Sequence, residues 1–75
     1  MTGLDVAVLE AELARPGMTE GQRTEAARGL GLSSTRYAQR LNRLLDDPAA
    51  VEAYPVLVNR LRRVRAARRS RFAGR

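Results

Sequence analysis

Residues 19–45 read TEGQRTEAARGLGLSSTRYAQRLNRLL, and the fold turns on this stretch. Thr19 and Gln22 stand three apart ahead of Ala26, Ala27 and Leu30. That is the spacing of a capping box, in which the Thr19 hydroxyl accepts from a free backbone N–H and Gln22 reaches back. A helix over about Glu20 to Gly29 is expected. Gly31 is free to adopt positive φ, Leu32 turns inward, and Ser33 or Ser34 caps the next helix. From Ser34 to Leu45, a rotation of about 100° per residue sorts the side chains into two faces. Tyr37, Ala38, Leu41, Leu44 and Leu45 fall on one side, and Arg36, Gln39, Arg40 and Arg43 on the other. A capped helix, a small Ala27 at the crossing, a glycine turn and a second helix with a polar outer face make the layout of a helix-turn-helix.

Outward from this unit, Val6, Leu9 and Leu13 recur at helical spacing, so a first helix is expected over Leu4 to Ala14 with Arg15-Pro16-Gly17 closing it. Downstream, Asp46 and Asp47 read as cap residues, and Asp47-Pro48 suits the start of a short helix through about Ala53. Pro55 opens a fifth helix with Leu57, Leu61 and Val64 as its apolar stripe and Val58 beside it. Past Val64 that stripe brings Arg65, Arg68 and Arg71 to the inward side, interrupted only by Phe72. Unpaired buried charges are prohibitive, so the helix is expected to leave the body near Ala66 and project, or fray. The expected fold is all-α, a small helix-turn-helix bundle of about four to five helices with a projecting Arg-rich C-terminal helix. Its domain spans residues 1–65, and residues 66–75 form a basic extension.

Composition agrees with a helical chain. Seventy-five residues allow one domain, which buries only about 60% of its unfolded surface. The apolar set is 12 Ala, 10 Leu, 6 Val, 2 Met, 2 Tyr and 1 Phe, with neither Ile nor Trp, a mixture that favours helix over sheet. There is no Cys, His or Lys. Thiolate zinc sites, imidazole bases, Schiff-base chemistry and the phosphate-loop lysine are thereby excluded, so no enzyme, metal or cofactor is expected. Gly29-Leu30-Gly31 does not extend to a nucleotide-binding loop, because Ser34 stands at the third glycine position and no strand precedes it. The longest early apolar run, Val6 to Leu9, is flanked by Asp5 and Glu10, unlike an export signal, and a cytoplasmic location is expected.

The charge is uneven. Residues 1–57 hold six Arg against all eight acids, a net of −2, whereas residues 58–75 hold eight Arg and no acid, a net of +8. Exclusive use of Arg also fits a chain encoded by DNA rich in G and C, so composition alone does not establish phosphate binding.

The string Gly31-Leu32-Ser33-Ser34-Thr35-Arg36-Tyr37 resembles the turn and recognition-helix entry of bacterial helix-turn-helix regulators, including the last DNA-binding region of sigma factors. More narrowly, residues 24–65 resemble an actinobacterial family of small uncharacterised helix-turn-helix proteins. The shared features are a Gly-Leu-Ser-x-Thr-Arg-Tyr stretch, a Leu-Asn pair as at Leu41-Asn42, an Asp-Pro as at Asp47-Pro48, and a Leu-Val-x-Arg-Leu-Arg-Arg stretch as at Leu57 to Arg63. The resemblance implies a helix-turn-helix fold and, by analogy, DNA binding.

The residues make the same case physically. An α-helix fits the major groove, where Arg can address guanine and Gln adenine bidentately, and base reading is assigned to Arg36, Gln39 and Arg40. Ser34 and Thr35 at the helix start suit phosphate bonds, and Arg43 suits a backbone clamp. Arg60, Arg62, Arg63, Arg65, Arg68, Arg69 and Arg71 on the fifth helix are expected to grip neighbouring phosphates. The bland alternative is a solvated polar face, against which stands the lack of any acid among those four Arg and Gln. Tyr37 reads as core. The expected partner is double-stranded DNA, in transcriptional regulation or as a nucleoid-associated architectural protein, with a homodimer or partner protein supplying specificity. Two rival readings are docking on RNA polymerase or a sigma factor, and an RNA or ribosome-associated role. A membrane role is disfavoured because the helix beyond Val64 has almost no apolar face to insert, and 4% aromatics argues against single-strand stacking platforms.

Overall fold

The computed structural model describes the backbone of residues 1–73 and the side chains of residues 1–68. Five helices follow in order, α1 (Gly3–Ala14), α2 (Glu20–Gly29), α3 (Ser34–Leu44), α4 (Pro48–Ala53) and α5 (Pro55–Ala73), with no strand among the described residues. The all-α expectation holds.

Local chemistry explains most of the boundaries. Thr2 and Asp5 form a capping box at α1, with Asp5 N–H donating to Thr2 Oγ1 at 3.1 Å and Thr2 N–H to Asp5 Oδ2 at 3.0 Å. Thr19 and Gln22 do the same for α2, as their spacing predicts. At the end of α2, Gly31 takes φ +74°, Leu32 N–H donates to Ala27 O at 2.9 Å, and Gly31 N–H to Arg28 O at 3.0 Å. These two bonds make a Schellman motif, with Leu32 folding back over Ala27 toward the core. Ser33 then caps α3, accepting from Arg36 N–H at 3.1 Å. Asp47 caps α4 with Pro48 at its first position. A single residue, Tyr54, separates α4 from α5, because the following Pro55 disfavours helical backbone before it.

The core joins Val8 and Leu9 of α1, Ala27 of α2, Tyr37, Leu41 and Leu44 of α3, Leu45 just beyond it, Ala50 of α4, and Leu57, Val58 and Leu61 of α5. Helix α3 packs against both α1 and α2, while α4 packs against α5.

Two expectations need correction. The buried face of α1 is not Val6, Leu9 and Leu13. Val6 and Leu13 are exposed, and the inward face carries Asp5, Val8, Leu9 and Glu12. Two acids can occupy it because Arg and Tyr partners on α2 and α3 meet them. Ala38, expected on the inner side of α3, is exposed. Arg65, expected as an unpaired charge on the inward side of α5, finds polar partners on the α3 side, and the helix runs unbroken from Pro55 to Ala73 with Ala66, Ala67 and Arg68 exposed.

Candidate functional site

The outer face of α3 presents Ser34, Thr35, Arg36, Gln39, Asn42 and Arg43 to solvent, and no acid lies among them. Arg36, Gln39, Arg40 and Arg43 line one shallow hollow with the half-buried Leu32 at its edge. The sequence-predicted reading residues are thus brought together. The Gly31 turn and the Ser33 cap set where this ridge starts, and burial of Tyr37, Leu41 and Leu44 sets how it is rotated.

They are not equivalent in chemistry. Arg40 is only partly exposed, and its Nη1 donates to Asp5 Oδ1 at 2.7 Å. Arg43 is largely exposed, with Nη2 3.9 Å from the same oxygen. Among the described residues no carboxylate pairs with Arg36. Arg40, expected to read bases beside Arg36 and Gln39, thus shares their hollow but is held at its rim by a buried acid on α1. Hydrogen bonds from the Thr2 backbone and then from Arg40 keep the Asp5 carboxyl below the usual carboxylate range.

A second acid organises the body beneath the ridge. Glu12, 2% exposed, accepts from Tyr37 Oη at 2.6 Å and from Arg23 Nε and Nη2 at 3.2 and 2.9 Å. Burial, followed by the bond to Glu12, raises the Tyr37 hydroxyl above the usual tyrosine range, and the same carboxylate raises Arg23. Tyr37 is thus a core residue, as expected, and its hydroxyl is committed. On the far side of α1, Tyr54 Oη donates to Glu10 at 2.7 Å, which raises its pKa in turn.

The arginines of α5 divide. Arg65, expected to grip a phosphate, donates to both Asp46 oxygens at 3.0 and 3.2 Å and to Asn42 Oδ1 at 2.8 Å, so it braces α5 to the end of α3. Asp46, expected as a cap, serves this bridge, while Asp47 caps α4. Arg62 and Arg63 are exposed and line a shallow groove with Asn59 and Ala66. Arg60 is half-buried. Arg68 is exposed and shares a hollow with Thr24, Ser34 and Ala38, close to the start of α3. Arg69 and Arg71 lie outside the residues whose side chains are described. Asp5 and Glu12 are the functional neighbours that sequence reasoning missed, since hydrophobic spacing gave the Val6 stripe priority.

Among the described residues no group of three or more acids could hold a metal ion, and no helix is long and apolar enough to cross a membrane. A family model described as a protein of unknown function, DUF3263, matches residues 1–72. The chain belongs to the DUF3263 family. No match was found among curated proteins or solved structures. For this DUF3263 chain, the acid-free ridge of α3 and the exposed arginines of α5 are the surface features with a definite chemistry.

Proposed function

We propose that this protein binds double-stranded DNA, with α2 and α3 as a helix-turn-helix and α3 entering the major groove. The observation that carries the reading is the acid-free ridge of Thr35, Arg36, Gln39 and Arg43, on a helix of the right diameter to enter that groove. Arg36 and Gln39 read base edges. Ser34 and Thr35 at the helix start, Arg43, and Arg60, Arg62, Arg63 and Arg68 of α5 meet phosphates. Transcriptional regulation or nucleoid organisation, inside the cytoplasm, is the corresponding role.

If about six arginines neutralise phosphates, log affinity falls with log salt at a slope of roughly −5, a loss near a thousandfold between 50 and 200 mM. Binding selection from a random duplex library at about 150 mM salt tests the reading, because screening at that salt suppresses promiscuous attraction. Duplex is expected to be retained, and Arg36→Ala to weaken it about tenfold or more, the effect of losing one good base contact. Salt-independent retention, or an Arg36→Ala variant that binds as well as the parent, would overturn it.

A second reading, docking on RNA polymerase or a sigma factor, draws on the exposed apolar side chains Val6, Leu13, Val56 and Val64. It predicts weak duplex binding and a polymerase pull-down that survives Arg36→Ala.

A further inference from the structure

Asp5 sits in the first turn of α1, and its side chain is nearly closed off from solvent. Its Oδ2 is engaged by the Thr2 backbone and its Oδ1 by Arg40, with Arg43 drawn to 3.9 Å. The capping box prevents this carboxylate from swinging away, so it is a fixed negative charge built into the flank of a cationic ridge. Nothing in the helical fold of α1 requires an acid to face α3, since Thr2 could be capped by a neutral acceptor at the same position. What the charge does is take one of the three ridge arginines out of circulation. Non-specific attraction to duplex grows with every mobile cation, whereas base reading depends on the few side chains that reach base edges.

We propose that Asp5 is a positioning residue that sets the charge the α3 ridge offers to duplex DNA, holding Arg40 off the phosphates so that Arg36 and Gln39 dominate the contact. The inference rests on the DNA-binding reading above. Asp5 itself touches no DNA and acts through Arg40. With Asp5 present the ridge carries three arginines less one carboxylate. Without it, Arg40 is released as a further phosphate contact.

The test is the salt dependence of binding by the full chain to a duplex of random sequence, between 50 and 200 mM salt. Asp5→Asn is expected to bind more tightly at 50 mM and to steepen the log–log slope by about 0.9, which adds about threefold to the salt sensitivity over that range. Adding Arg40→Gln to Asp5→Asn is expected to return the slope to the parent value, a restoration that loss of a merely structural contact does not produce. Asp5→Ser gives the same comparison if Asp5→Asn does not keep its helical circular dichroism. If the parent binds and Arg36→Ala weakens it, but Asp5→Asn leaves the slope unchanged or the double variant fails to restore it, this inference falls alone. If the parent binds no duplex at 50 mM salt, the DNA-binding reading falls and takes this one with it.

Discussion

The Glu12 carboxylate receives three hydrogen bonds, two from Arg23 and one from Tyr37, and so ties α1 to α2 and α3. Taking a carboxylate out of water is costly, and the site is stable because both oxygens are satisfied. Truncation is therefore unbalanced. Glu12→Ala is expected to destabilise by about 3 kcal/mol, since it opens a void and leaves the buried Tyr37 hydroxyl without an acceptor. Tyr37→Phe removes one bond to a charged group and should cost about 1.5 kcal/mol. Arg23 keeps about a quarter of its side chain in solvent, so Arg23→Ala should cost less than Glu12→Ala. Urea unfolding followed by circular dichroism orders the three, and a Glu12→Ala variant as stable as the parent would contradict the account. None of this was legible along the chain, because the partners lie 11 and 25 positions from Glu12 and no local pattern links them.

At the scale of the element, α2, its turn and α3 were legible because their signals are local. The Thr19–Gln22 box, Gly31 and the serine cap each act within a few residues, and the structure has the helix limits expected to within one residue. The face of α1 was not legible for the opposite reason. Counting apolar residues selects Val6, Leu9 and Leu13, whereas burial selects a face with two acids whose compensation is tertiary. The same limit hid the pairing of Arg40 and Arg65, two candidate contacts that the fold uses for itself. The turn also supplies a contrast between two glycines. Gly31 needs positive φ and has open space around it, so Gly31→Ala should cost about 1 kcal/mol from backbone conformation alone. Gly29 ends α2 in helical backbone, again with open space, and Gly29→Ala should stabilise by about 0.5 kcal/mol. Thermal unfolding of the pair checks both signs. Equal shifts would mean that the Schellman geometry does not govern the turn.

For the molecule as a whole, composition sets an unusual titration. With no His, Cys or Lys, and with arginines charged throughout, the chain has no side chain whose ordinary titration range falls between those of the carboxylates and the tyrosines. Stability should therefore be nearly flat from about pH 5 to 9, and the structure names the group that bends it at each end. Asp5 has a folded pKa below its ordinary 3.8, so its contribution is present above that value and is lost as pH falls through the depressed folded pKa. Tyr37 has a folded pKa above its ordinary 10.0. Its contribution is complete below that value and declines as pH rises beyond it, because only the unfolded chain then gives up the proton readily. Tyr54 adds less on the alkaline side, since its ring is only half-buried and its bond to Glu10 is exposed and screened by water. Denaturant midpoints measured from pH 2 to 11 should then show a plateau with two falling limbs. Asp5→Asn should flatten the acid limb and leave the alkaline one alone, and Tyr37→Phe should do the reverse at a lower plateau. Limbs that move together in either variant would mean that the ends of the window are set by net charge repulsion across the chain and not by these two buried groups.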